Sequence, residues 1–442
     1  MIERFFRLQA SGTNVKREIV AGCTTFMTLS YIIFVQPAVL SSAGMDANAV
    51  MVATCVASAL AMVLMAFLAN YPIALAPAMG HNFYFVFTVC LTLGVSWQHA
   101  LGAVFIAGTL FILLSFVGLR ATVMDILPVS LKNAIPAGIG LLIALVGLEW
   151  AGIVVAHPAT YVTLGDLTSA PTLLSLFGVA VIAILFALHV NGAILIGILA
   201  TTVVGLIAGM VTFEGIVAAP PSIAPTLFKL QIPNIFADPK LITVIFVFIF
   251  LDLFDTVGTL IGVSQQAGLM VEGKLPKARQ ALLSDAIATS AGALLGTSTV
   301  TSYIESASGI SAGGRTGLTN IVTATLMLLA LFFNPLIKMV GAGYAVGENT
   351  VLYPVIAPAL IIVGSLMLNN VVHINWKDTT EAFPAFLTLM IMPVTFSITE
   401  GIAFGFIAYA LLKLVSRQGK QVHWLIYLFA VLFVVRYVWL VG

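Results

Sequence analysis

Three residues on one apolar stretch define the chemistry open to this chain. Between Phe246 and Thr259, the carboxylates of Asp252 and Asp255 and the hydroxyl of Thr259 stand at i, i+3 and i+7, on one face if the stretch is helical. A further acid, Glu305, follows the polar run Gly296-Thr297-Ser298-Thr299-Val300-Thr301-Ser302-Tyr303-Ile304. Ionisable groups inside apolar segments are costly, so each is a functional candidate. No Lys or Arg lies in these segments to neutralise them, and proton uptake is the remaining way to discharge a buried acid. Asp255 and Glu305 therefore read as the wall of a polar pocket, protonated in part of a cycle. The competing reading is a helix-to-helix hydrogen bond by a carboxyl kept neutral by burial. Asp252 is balanced between the pocket and a neighbouring helix. Asn82 could hydrogen-bond a planar ligand or tie two chain segments together, and His81 beside it is secondary. Asp285, next to Ser284, reads as a helix cap. Glu149, Glu348 and Glu400 fall at segment ends and are expected to be solvated.

The elements that must position these groups are membrane spans. Of the 442 residues, 61% are hydrophobic and 8% charged, against roughly 25% charged in a soluble domain. Mean hydropathy is +1.13. A crossing helix needs about 20 apolar residues, and fourteen such segments fit, near 18–40, 48–70, 72–95, 97–118, 131–155, 172–188, 190–212, 241–265, 280–296, 298–313, 318–340, 349–370, 380–397 and 400–416. The apolar stretch 422–441 is long enough for another but carries Arg436 and His423. Residues 1–17 lack the apolar region of a cleaved signal and read as an interfacial cytoplasmic segment. With that end inside, fourteen Lys and Arg fall in inner loops, including Arg120, Lys132, Lys274 and Arg315, against Lys229, Lys240 and Lys338 outside. This asymmetry predicts a cytoplasmic N-terminus.

Two of the spans are broken at matching places. Tyr71-Pro72-Ile73-Ala74-Leu75-Ala76-Pro77-Ala78-Met79-Gly80-His81-Asn82 and the run ending at Glu305 lie about half the chain apart. The first and eighth spans begin at nearly the same offset, near 18 and 241. Seven spans separate them, an odd number, so the second half enters from the opposite side and the repeat is inverted. Pro72 and Pro77 disfavour regular helix, and Thr297 to Thr301 favour extended chain. The expected fold is thus an all-α polytopic membrane protein with fourteen transmembrane segments, a 7+7 inverted repeat and short β-strands in spans three and ten.

Other chemistries find little support. Cys23, Cys55 and Cys90 have no CxxC spacing and read as packing residues. The basic residues form no patch for nucleic acid. No nucleotide-binding, zinc-hydrolase or serine-hydrolase motif is present, so neither an enzyme nor a cofactor or metal is expected.

At these residues the chain resembles the nucleobase-cation symporter-2 superfamily and, within it, the hypoxanthine, guanine and adenine permease branch. The stretches that carry the likeness are 76–82, 253–259 and 299–309, followed by Gly313-Gly314-Arg315-Thr316-Gly317-Leu318, with Gly12-Thr13, Ala21 to Phe26 and Pro393 to Ile398 besides. The branch usually has Leu and Ala where this chain has His81 and Phe83. The resemblance implies a core domain (18–118 and 241–340) and a gate domain (131–212 and 349–416), with 417–442 as a C-terminal segment. It also implies a substrate between the broken spans, bound by Glu305, Asp255, Tyr303, Ile304, Met79, Gly80, Asn82 and Thr259, with proton coupling at Asp255, Glu305 or Asp252.

The resulting expectation is uptake of a purine nucleobase (adenine, hypoxanthine or guanine) by proton symport across a bacterial inner membrane, the core sliding against the gate. A homodimer is compatible with the chain. Alternatives are an anion transporter of the same fold, a uracil- or xanthine-type permease and, less favoured, a channel.

Overall fold

The computed structural model describes residues 2–117, 128–232, 239–270, 275–346 and 350–439. Arg120, Lys274 and Glu348 lie outside them. The described chain is mostly helical, and eight of its helices are long and apolar enough to cross a membrane. The helices are α1 (Val15–Leu29), α2 (Ile32–Ser41), α3 (Ala47–Leu68), α4 (Met79–Phe83, continued by a π-helical stretch Tyr84–Thr92), α5 (Trp97–Val117), α6 (Val129–Trp150), α7 (Ala170–Ala187), α8 (Ala193–Ile207) and α9 (Pro239–Gln266). They continue as α10 (Ala278–Leu295), α11 (Ser306–Ser311), α12 (Gly317–Ala330), α13 (Asn334–Gly341), α14 (Ala357–Met367), α15 (Thr379–Thr395), α16 (Ile398–Val415) and α17 (Trp424–Trp439). Strand β1 (Leu75–Pro77) precedes α4, and β4 (Val300–Ser302) precedes α11. The remaining strands form two small hairpins, β2 (Val154–His157) with β3 (Tyr161–Leu164) and β5 (Tyr344–Val346) with β6 (Thr350–Leu352).

The two expected breaks meet each other. Strands β1 and β4 pair antiparallel with Leu75 opposite Ser302, Ala76 opposite Thr301 and Pro77 opposite Val300, every residue buried. Backbone bonds from Ala78 N to Thr299 O and from Tyr303 N to Ala74 O, both 2.9 Å, lengthen the ladder.

Packing sorts most of the helices into two sets. In one, α12 packs on α3 and α1, α10 on α5 and α3, and α11 on α1. In the other, α6 packs on α14 and α15, α15 on α16, and α7 on α8 and α14. Close approach inside the second set depends on small residues. A Cβ added to Gly364 would lie 2.4 Å from the Gly140 carbonyl oxygen. Outward faces carry residues such as Leu113, Ile184, Ile207, Leu329 and Leu411, which are exposed and apolar, as a lipid-facing surface requires.

Two expectations about charges change. Glu400 is not simply solvated, because it accepts hydrogen bonds from Arg436 (2.7 Å) and from the Tyr437 hydroxyl. That pairing neutralises Arg436 and holds α17 along α16, where Phe429 packs against Phe406 and Phe250. Asp285 is not a cap, since α10 begins at Ala278 and Asp285 sits inside the helix, fully buried.

Gly364→Ala forces two backbones apart and is expected to cost about 1–3 kcal/mol. Thermal unfolding in detergent should fall accordingly, while Gly341→Ala, whose added Cβ meets nothing within 4 Å, should unfold as the parent does.

Candidate functional site

Where β1 and β4 cross, the backbone leaves helical geometry inside an apolar bundle, and its polar groups need partners that lipid cannot supply. Neighbouring helices provide them. Asn320 of α12 donates to Tyr71 O (3.0 Å) and Ile73 O (2.7 Å). Ser306 Oγ accepts from Ala74 N at 2.9 Å, and Thr289 Oγ1 of α10 donates to Val300 O at 2.9 Å. A second layer links side chains across the crossing. Asn82 donates to Gln36 Oε1 and accepts from Ser298 Oγ, while Gln36 donates to Thr297 Oγ1 at 2.9 Å.

A cavity of about 800 Å³ opens beside this crossing. One wall is built by Met79, Gly80 and His81 of α4, Asp255, Gly258 and Thr259 of α9, and Thr301 to Glu305 at the end of β4. The opposite wall comes from the other packing set, through Ile135, Pro136 and Ile139 of α6, Val363 of α14 and the turn at His189 to Gly192. Gly80 has no side chain for a packing reason: a Cβ there would meet Ile139 Cγ2 at 2.9 Å.

The polar groups of the first wall have defined partners. Glu305 Oε1 accepts from the Tyr31 hydroxyl at 2.7 Å, and the Glu305 carbonyl accepts from Thr28 Oγ1 at 3.4 Å. Asp255 Oδ2 receives Thr301 Oγ1 at 3.4 Å and lies 3.7 Å from His81 Nδ1. The Tyr303 hydroxyl donates to Pro77 O, which holds its ring against the crossing. Ile304 is 67% exposed, so the cavity presents a bare aliphatic surface next to two acids. Such a site can receive N–H donors from a flat ring edge at the carboxylates while apolar groups contact its faces.

Most of the expected residues therefore line one cavity: Asp255, Thr259, Met79, Gly80, Tyr303, Ile304 and Glu305. Two do not. Asn82 is fully buried behind the wall in the network with Gln36 and Ser298, the tying role of the two it could play. Asp252 is also buried, and Thr256 Oγ1 bridges it (3.4 Å) to Asp285 of α10 (3.0 Å). The three-residue face expected on α9 thus divides, because Asp252 and Thr256, at i and i+4, turn toward α10 while Asp255 and Thr259 turn toward the cavity.

Sequence reading passed over Tyr31, Gln36 and Thr301. A signal existed for the first two: Thr28, Ser30, Tyr31 and Gln36 cluster where the first apolar span breaks between α1 and α2. Asn82→Ala would leave Gln36 and Ser298 buried without their partner, at an expected cost of about 1–3 kcal/mol. A drop in unfolding temperature with ligand affinity kept in the folded fraction would assign Asn82 to the scaffold.

A permease family model matches residues 16–404. The chain is 44% identical over 441 residues to an adenine permease of Escherichia coli, covering 100% of this chain and 96% of that protein. It is 45% identical over 451 residues to a guanine/hypoxanthine permease of Bacillus subtilis, covering 99% and 100%. Among solved structures, it superposes on the transmembrane domain of a cyanobacterial bicarbonate transporter with a TM-score of 0.62 at 16% identity, covering 89% of this chain and 97% of that one. At that identity the likeness concerns the fold. Family model and full-length relatives agree: the chain belongs to the nucleobase-cation symporter-2 family of permeases.

Proposed function

We propose that this protein imports purine nucleobases together with protons. The observation that carries the reading is the pair of acids, Glu305 and Asp255, on one wall of the cavity beside the crossed strands. Lys132 is the one Lys or Arg among the cavity-lining residues, and it belongs to the first turn of α6. Purines carry N–H donors on a planar edge, and a carboxylate accepts two of them at once. Glu305, held by Tyr31, is assigned that role, with Ile304 and Tyr303 beside the ring. Asp255 and Thr259 are assigned to proton coupling. The full-length likeness to adenine and guanine/hypoxanthine permeases supports a purine substrate. Asp252, tied through Thr256 to Asp285, is assigned a supporting part.

The conformational scheme rests on the fourteen-span inverted repeat. The set containing α1 to α5 and α9 to α12 is the core, and the set containing α6 to α8 and α14 to α16 is the gate. Loop charges put the N-terminus and Lys132 in the cytoplasm of a bacterial inner membrane. On that assignment His189, Asn191, Asn369 and Asn370 surround an inner mouth, and the cavity is inward-facing. Sliding of the core past Ile139 would expose the same wall to the outside. An anion carrier is the less favoured reading, because two carboxylates flank the cavity.

In vesicles with an alkaline interior, labelled adenine, hypoxanthine or guanine should accumulate above its outside concentration, and collapsing the pH step should abolish the excess. Glu305→Gln replaces a charged acceptor and is expected to weaken purine binding by about ten- to a hundredfold. Asp255→Asn should leave purine exchange between equal pools while removing pH-driven accumulation. Accumulation by Asp255→Asn at normal abundance would overturn its coupling role.

A further inference from the structure

His81 has no part in the reading above, although it stands inside the site. It follows Gly80 in the first turn of α4, lines the cavity and is 2% exposed. Its Nδ1 faces Asp255 Oδ2 at 3.7 Å, and its Nε2 is buried with no hydrogen-bond partner among the described residues. A buried ring nitrogen without a partner costs free energy and calls for a reason beyond packing. The other polar or titratable groups around the pair include Thr301, Tyr303 and Glu305 at the end of β4, Thr259 on α9, Tyr31 between α1 and α2 and, close enough for its charge to act on Asp255, Asp285 of α10, with Lys132 of α6 and His189 also lining the cavity. Tyr31 is engaged with Glu305 and Tyr303 with Pro77. The imidazole is therefore the nitrogen base beside Asp255.

We propose that His81 is a positioning residue for Asp255, acting as the fixed N–H donor that faces the carboxylate when it is ionised. This rests on the proton-coupled reading of the same site. A neutral imidazole has one donor and one acceptor nitrogen, and the neighbour of one nitrogen decides which is which. Opposite ionised Asp255, Nδ1 carries the hydrogen and donates. Opposite protonated Asp255, the same Nδ1–H donates to the carbonyl oxygen of the carboxyl group, so the ring hydrogen need not move. The ring keeps its one hydrogen on Nδ1 in both states of the carboxyl group. At 3.7 Å the two groups are a few tenths of an ångström beyond a direct hydrogen bond, and the Asp255 side chain, 37% exposed to the cavity, has room to rotate into range. The consequence is that Asp255 can lose its proton inside an apolar bundle without standing as an unpartnered charge.

The sign follows from which form loses its partner. Without an N–H donor, ionised Asp255 is disfavoured and proton release is hindered. His81→Leu keeps the approximate volume and removes both hydrogen-bonding nitrogens. It is expected to lower net pH-driven purine uptake about tenfold and to move the pH of half-maximal uptake upward by about one unit. Purine exchange between equal pools, which needs no net proton release, should stay within about twofold of wild type. His81→Asn, whose amide can donate or accept near the Nδ1 position, should recover most of the net uptake. A wild-type pH profile in His81→Leu overturns the proposal, and so does an equal loss of net uptake and exchange at normal abundance. If wild-type vesicles accumulate no purine under a pH step, the underlying transport reading fails instead, so the two failures are told apart.

Discussion

The structure depends on one constraint, that non-helical backbone at membrane depth must find every hydrogen bond within the protein. Strands β1 and β4 satisfy part of it by pairing with each other, although the two segments come from opposite halves of the chain. The rest falls to side chains on helices around them: Asn320 covers the carbonyls of Tyr71 and Ile73, Ser306 the Ala74 amide, and Thr289 both polar groups of Val300. Each unpaired group would cost several kcal/mol in lipid. This explains why so many Ser and Thr side chains lie fully buried in a chain that is otherwise strongly apolar.

Satisfying the crossing also builds the site. A strand that ends inside the apolar bundle must hand the chain back to a helix, and α4 and α11 begin at those points. The side chains at the two handovers, Met79 to His81 and Tyr303 to Glu305, then project beside one cavity. Tyr303 and Tyr31 serve fold and site at once, since one hydroxyl closes on Pro77 and the other on Glu305. The end of the bundle at the start of α1 follows a similar rule. Buried Glu18 of α1 accepts from the Arg315 and Thr319 amides and from the Thr319 hydroxyl, which caps the start of α12 with a residue almost three hundred positions away.

The cavity lies between two helix sets that touch through dissimilar contacts. Within each set, glycines and small residues let backbones approach closely, as at Gly140 with Gly364 and at Gly309, where a Cβ would lie 2.0 Å from Thr25 Oγ1. Across the cavity an aliphatic side chain, Ile139, rests on the backbone of Gly80.

What the sequence determined by itself came from terms that act locally. Apolar length marked the helices, prolines and β-compatible residues marked the two breaks, and the acids without nearby cations marked Asp255 and Glu305 as site groups. Those features are legible because lipid penalises polar groups wherever they stand along the chain. Tertiary structure decided the partnerships. Asp252 and Asp255 look alike in sequence, yet three residues of helix turn one toward Asp285 and the other toward the cavity, and only the position of α10 fixes which. Asn82 reads equally as a ligand partner or as a tie between segments until Gln36 and Ser298 are brought to it from distant segments. Asp285 reads as a cap until the helix start is known. Glu400 reads as solvated until α17 delivers Arg436. For Asp252, Asn82 and Glu400 the deciding atom belongs to another element of the chain, and no local propensity or spacing carries information about it.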